Sequence, residues 1–486
     1  MPKRKIRPIR LLLLVLLSAW LLTALYHRYK PLPEDVGRAW PVRAAEDVAV
    51  LADDTWVDQD AGDDPERHHK QAIFDEFFRL IGQADRLIVV DMFLYNDMAG
   101  ATTGNLRPLS EQLTDALVAR KRQRPHVRAV LITDPFNTLY GGVDAPHLQR
   151  LRNAGVEVVF TDLTRLRDSN PVWSGLWRLC CQWFGNDSDG GWLPNPTGDG
   201  KVTLRTYLSL INFKANHRKT LVVDEGDRWT GLVTSANAHD ASSAHSNIAL
   251  RFSGAAALDL LQSELAVAAF SGARLGDNWP TPPAARDAAG TDDEPTLRVL
   301  TEGAIRDALL AAVDEAEKGD RLDVGVFYLS HRPLVDALAR ARQRGVTVRL
   351  LLDPNKDAFG REKNGVPNRQ VASELHAEGV AVRWCATHGE QCHTKMLLRD
   401  GRRPLLIAGS ANYTRRNLDN LNLETSVALR AAADHPALAA ARALFERRWS
   451  NTDGRLFSLP YAAYQDDSAW RKALYRVMEF TGWSTF

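Results

Sequence analysis

Along the chain, two long stretches repeat the same alternation of apolar and polar positions. In one, a helical spacing over Leu109 to Arg122 is followed by the apolar run VRAVLITDP, ending at Asp134 and Pro135. In the other, LVDALARARQRG leads into VTVRLLLDP, ending at Asp353 and Pro354. Each continues into a second helical pattern, LQRLRNAG or VASELHAEG, and a short strand pattern, VEVVF or VAVRW. Upstream, RLIVVDMFLY (Arg86 to Tyr95) matches RLDVGVFYLS (Arg321 to Ser330) in position and pattern. Helices alternating with β-branched apolar strands predict an α/β chain of two similar lobes, with largely buried sheets flanked by helices.

The amino terminus follows a different pattern. Lys3, Arg4, Lys5, Arg7 and Arg10 precede an almost wholly apolar run from Leu11 to Tyr26. The run predicts a single transmembrane helix, short but usable if tilted, with the basic side inside and the rest of the chain beyond the cytoplasm. A cleaved signal peptide is the main rival, although no small-x-small site follows the run. The chain therefore divides into a basic segment and anchor (1–30), a first lobe (31–276), a Pro/acidic connector (277–296) and a second lobe with its tail (297–486). With 61 Lys and Arg against 60 Asp and Glu, bulk charge gives no support to a nucleic-acid-wrapping protein. Of the four cysteines, Cys180 and Cys181 are adjacent and Cys385 and Cys392 flank a short loop. A disulfide between the latter two and plain buried thiols remain equal readings, and neither pair has zinc-knuckle spacing.

Chemically distinctive residues recur within the repeat. NHRKTLVVDEG places His217, Lys219 and Asp224 in the pattern H-x-K-x4-D, and CHTKMLLRD places His393, Lys395 and Asp400 in the same spacing. Strand alternation puts each His and its Lys on one face. A polar cluster follows each: Thr234, Ser235 and Asn237, then Gly409, Ser410 and Asn412. One histidine of such a pair can attack phosphorus while the other protonates the departing oxygen. Lysines supply positive charge, and Ser and Asn can donate hydrogen bonds to nonbridging oxygens. The protein's own cations provide charge compensation, so no metal or cofactor is expected.

On these motifs, over roughly Ala72 to Asn451, the sequence resembles the phospholipase D superfamily, including two-motif bacterial phospholipases and cardiolipin-synthase-like proteins. The resemblance implies two phospholipase-D-like lobes with the active site between them. It casts His217 as nucleophile, His393 as general acid, Lys219 and Lys395 as phosphate ligands, and Asp224 and Asp400 as residues that support the motifs. Ser235, Asn237, Ser410 and Asn412 would bind or orient the phosphate. Glu424, in NLETSVALR, matches the acidic residue that commonly backs a catalytic histidine. Aligning HSNIALR on it sets His245 opposite Glu424 and Asn247 opposite Ser426, so a different group would orient the first histidine.

An insertion around 163–213 carries Trp173, Trp177, Trp183 and Trp192. It reads either as a lid packed on its own lobe or as a lipid contact. With the anchor, it favours a phospholipid substrate, with water, an alcohol or a second phospholipid as acceptor. The expectation is phosphodiester hydrolysis or phosphatidyl transfer through a phosphohistidine, at a bacterial inner membrane and facing the periplasm. One chain suffices for one complete site. An extracytoplasmic nuclease is the alternative, and a noncatalytic lipid-binding protein is the weaker third reading.

Overall fold

The computed structural model describes the chain except residues 1–7, 61, 63–65, 99, 101–105, 184–189, 285–293, 359–360 and 485–486. The basic residues Lys3, Arg4, Lys5 and Arg7, part of the connector and part of the Trp-rich insertion thus lie outside the described residues. Helix α1 (Pro8–Tyr29) extends past both ends of the apolar run. Pro8 suits a first-turn position, where its missing N–H costs nothing. Its 22 residues rise about 33 Å at 1.5 Å each, enough for a hydrocarbon layer of about 30 Å. It is the one helix among the described residues that is long and apolar enough to cross a membrane.

Two sheets follow, each built in the same order. The first runs β1 (Glu46–Asp58), β7 (Asn247–Ser253), β6 (Arg228–Thr234), β5 (Lys219–Glu225), β2 (Leu87–Met92), β3 (Arg128–Thr133) and β4 (Glu157–Phe160). The second runs β8 (Thr296–Thr301), β14 (Thr425–Arg430), β13 (Leu405–Gly409), β12 (Lys395–Asp400), β9 (Arg321–Val326), β10 (Thr347–Leu352) and β11 (Ala381–Cys385). In both, the last three strands are parallel and the rest antiparallel. Distant segments extend the edges crosswise. Arg43–Ala44 pairs with β8 of the second sheet, and Arg455–Leu456 pairs with β1 of the first.

Strand alternation distributes the core. In β5, Leu221 and Val223 join an outer cluster of the first lobe, while Val222 faces a shared central cluster. In β12, Leu397 joins the second lobe's outer cluster, while Met396 and Leu398 face the same centre. Helices α3 (Ala255–Phe270) and α4 (Pro436–Ser450) add Leu260, Leu261, Leu444 and Phe445 to that central layer. Because both sheets bury a face there, the central cluster holds the lobes together through apolar burial.

Of the connector, residues 277–284 are mostly exposed, but Trp279 tucks under the Arg128 guanidinium, 3.5 Å from ring centroid to Cζ. The tail, for which no role was evident in the sequence, forms helix α5 (Ala469–Thr481) and buries Tyr475 against the second lobe. Disulfides link Cys180 to Cys181 and Cys385 to Cys392.

A buried ion network crosses the central layer. Arg218 donates to Glu302 at 2.7 Å and to Glu264 at 3.3 Å, and all three side chains are almost fully excluded from solvent. Removing one partner leaves charge buried and unpaired, which costs about 3–5 kcal/mol. Arg218→Ala is therefore expected to lower the unfolding free energy of the detergent-solubilised protein by about 3–5 kcal/mol, read as a fall in the urea midpoint. Unchanged unfolding would show that the network carries no such weight.

Candidate active site

Each histidine of the repeated motif sits at the mouth of its strand, just before β5 or β12. The backbone there is tied to the opposite lobe. His217 N donates to Leu423 O at 2.9 Å and Leu423 N to Ala215 O at 3.1 Å. Reciprocally, His393 N donates to Ser246 O at 2.8 Å and Ser246 N to Gln391 O at 3.0 Å. Both histidines line one cavity of about 300 Å³, with Asn237 and Asn412 on its wall.

These bridges carry the residue behind each imidazole across from the other half. His217 Nδ1 lies 2.8 Å from Glu424 Oε1. His393 Nδ1 lies 3.2 Å from Asn247 Oδ1. The expectation that a group other than Glu424 would orient His217 is thus corrected. Glu424 does so, because the chain exchanges its backing residues across the bridges. Ser410 Oγ and Asn417 Nδ2 donate to the Glu424 carboxylate. Ser235 Oγ donates to Asn247 Oδ1 at 3.0 Å, and Asn247 Nδ2 donates to His245 O at 3.0 Å. The two serines therefore orient the backing residues and do not line the cavity.

The lysines lie beneath the cavity floor. Lys219 Nζ donates to His217 O at 2.7 Å and stands 5.0 Å from the Phe93 ring centroid. Lys395 Nζ donates to His393 O at 2.6 Å and stands 5.2 Å from Phe327. The aspartates of the motifs are elsewhere, although the spacing groups them with the histidines. Asp224 accepts the Arg86 and Leu87 amides at the far end of β5, and Asp400 pairs with Arg442 and Arg321. Five residue steps along the strand separate each from its lysine, about 17 Å. They anchor strand ends and touch nothing in the cavity.

Sequence reasoning missed the parts that hold the histidines in place. Asp134 accepts Asn216 N at 2.7 Å, and Asp353 accepts Cys392 N at 2.8 Å. Each fixes the residue preceding a histidine, and the repeated Asp-Pro pairs were the available signal. Phe93 and Phe327, also repeated, lie against the two imidazoles with centroids 4.8 and 5.1 Å away. Lys214, Lys363 and Arg416 add positive charge to the lining.

Burial dominates the electrostatics. It lowers His217 to about 4, against the opposing pull of Glu424. His393 falls well below its ordinary value, first through burial and then through the Lys395 and His245 charges. Burial lowers Lys219 to about 7, opposed by Glu424, and lowers Lys395 strongly, with Lys219 adding to the effect. Asp134 and Asp353 are raised by burial to about 7 and about 6, against the pull of the amides they accept. The cavity is thus a socket with buried histidines, cations on its lining and one carboxylate already committed to a histidine. Among the described residues, no group of three or more His, Cys, Asp or Glu side chains could hold a metal ion.

Residues 309–449 match the family described as cardiolipin synthase, PLD-like domain. The whole chain superposes on phosphatidylserine synthase from Haemophilus influenzae Rd KW20 with a TM-score of 0.56, at 12% identity, over 90% of this chain and 94% of that one. The chain thus shares the fold of that synthase, and its second half carries the match to a PLD-like domain. Polyphosphate kinase from Porphyromonas gingivalis also aligns, at 14% identity and a TM-score of 0.43, over 84% of this chain and 51% of that one. Nuc from Salmonella typhimurium, a phospholipase D family member, aligns at 22% identity and a TM-score of 0.28, over 32% and 95% of the respective chains. No curated protein matches the sequence. The family match spans β9 to β14 and so contains the His393 motif and Glu424.

A socket whose cations are held close to neutrality should bind a dianion in a pH-dependent way. Lys219, lowered to about 7, loses its charge as pH rises through that value. Sulfate keeps its charge over this range, so its affinity should be strongest below pH 7 and fall above it. Isothermal titration at pH 6 and pH 8 measures this, and equal affinities at the two values would contradict it.

Proposed function

We propose that this chain is a membrane-anchored phosphodiesterase or phosphatidyltransferase acting on phospholipids through a covalent phosphohistidine. The observation that carries the reading is the unequal backing of two histidines in one socket, Glu424 behind His217 and Asn247 behind His393. A carboxylate accepting from Nδ1–H fixes the tautomer that leaves His217 Nε2 unprotonated, as a nucleophile requires. An amide oxygen orients His393 without a full negative charge, leaving its imidazolium the readier acid.

In the first step, His217 Nε2 attacks phosphorus. The phosphorus–nitrogen bond forms as the bond to the leaving alcohol oxygen breaks, and His393 gives that oxygen its proton. In the second, water or an alcohol attacks phosphorus, His393 takes the acceptor's proton, and the phosphorus–nitrogen bond breaks. The bound phosphodiester anion raises the His393 and lysine proton affinities that burial had lowered, so substrate itself charges the acid. Lys219 and Lys395 stabilise the nonbridging oxygens from below, while Asn237 and Asn412 reach them from the wall.

The apolar helix α1 supports a single-pass anchor at a bacterial inner membrane. The two disulfides support an oxidising compartment for the lobes, hence a periplasmic orientation. Both histidines belong to one chain, so a monomer contains the proposed site. The domain limits proposed are 31–276 and 297–486, joined at 277–296.

The deciding measurement is mass-resolved product analysis with labelled phosphatidylglycerol, with and without excess glycerol or a second phospholipid. Wild type is expected to form phosphatidic acid or an exchanged phospholipid such as cardiolipin. His217→Ala and His393→Ala should each lower the rate by at least about 10²-fold, the lower range for a positioned acid–base group. Acid-labile label retained on His393→Ala but not on His217→Ala would identify the nucleophile. Wild type that leaves every lipid intact yet cuts single-stranded DNA would replace this reading with a nuclease.

A further inference from the structure

The Trp-rich insertion does not simply cover the socket. Its helix α2 (Pro171–Cys180) lies against the transmembrane helix α1. Trp20 Nε1 donates to Val172 O at 2.8 Å, and Asp168 N donates to His27 O at 3.0 Å. The fit is close enough that a Cβ on Gly175 would meet Ala24 Cβ at 2.8 Å. The contacts place α2 beside the carboxyl-terminal turns of α1.

The insertion is split in its use of tryptophan. Trp173 donates to Leu208 O at 3.0 Å, and Trp177 is buried. On the other side of α2, Val172, Leu176, Leu179 and Trp183 project outward with 44 to 75% of their surface exposed. Steps of four and three put Val172, Leu176 and Leu179 on one helical stripe, and Trp183 follows in the turn just past the helix.

The end of α5 joins the same surface from the opposite terminus of the chain. Arg415 donates to Glu479 O at 2.8 Å, and Gly482 packs so closely that a Cβ there would collide with Ser169 O. Val477, Phe480 and Trp483 are left exposed at 57, 82 and 60%. Three distant segments thus converge on one apolar surface at the exit of α1, an arrangement a soluble face rarely shows. Arg416 connects this surface to the socket. It donates to the Gly482 and Ser484 carbonyls, stacks on Phe213 at 5.3 Å and lines the histidine cavity.

We infer that the α2 stripe and the end of α5 insert into the bilayer that holds α1, seating the mouth of the histidine socket at the level of the lipid phosphates. This rests on the proposed reading of α1 as a membrane span. The occupant is a lipid bilayer because the apolar stripe is continuous with that span, and because tryptophans stand at its margin as at a membrane interface. A lipid phosphodiester could then reach the histidines without its acyl chains leaving the membrane.

The test uses the full chain in vesicles of phosphatidylethanolamine and phosphatidylglycerol, with ordinary or brominated acyl chains. Bromine quenches indole fluorescence on contact. Trp183→Phe and Trp483→Phe should each reduce the bromine-quenched part of the signal, whereas Trp279→Phe, in the connector, should not. Leu176→Glu combined with Leu179→Glu should reduce quenching of Trp183. Quenching unchanged in both tryptophan variants overturns the inference, and so does a dimer whose interface shields these residues from bromine. The readout needs no turnover, so absence of a lipid product would overturn the proposed chemistry and leave this result standing.

Discussion

Four backbone hydrogen bonds hold the candidate site together, two on each side of a crossing between the lobes. They run between 215–217 and Leu423, and between 391–393 and Ser246. Backbone groups buried in this way must be paired, so each histidine segment is complete only against the opposite lobe. The apolar central layer brings the sheets together without direction. The bridges supply the register, and the register decides which side chain stands behind which imidazole. Everything chemical in the socket is downstream of that alignment.

The socket is also where the fold is least comfortable electrostatically. Two lysines and two histidines are buried together, and burial disfavours the charged form of every one of them more than the nearby carboxylates favour it. Local compensation is sparse. Glu424 serves His217, while the lysines fall back on the carbonyls of their own motif histidines. In the proposed reaction, the phosphodiester itself would bring negative charge to these cations. Strain of this kind suits a ligand site and would be hard to justify in a purely structural core.

Much of this could be read from sequence because the chain says it twice. Strand order, the paired H-x-K spacing and the polar clusters were legible through repetition, and α1 through its unbroken apolar run. What escaped was non-local. The backing of His217 by Glu424 spans 207 residues, and an alignment within each half pairs residues that the fold never brings together. Asp224 and Asp400 support the motifs, as expected, but from the far ends of the strands. Their spacing is shared because both strands need anchored ends, and sequence proximity to a histidine concealed about 17 Å of strand. The tail escaped for a third reason, since its packing partners, Ser330, Arg332 and Glu374, lie far upstream.

The unequal pair behind the histidines has a consequence for how such a protein can arise. Were the two lobes identical subunits, symmetry would force the same residue behind both imidazoles, and any change would strike both at once. Joining the halves in one polypeptide lifts that constraint. One backing position can keep its carboxylate while the other drifts to an amide, and the two histidines become chemically distinguishable. Carrying both lobes on one polypeptide is then more than a tether, because it lets the two backing positions differ, as Glu424 and Asn247 do, where a symmetric assembly could not.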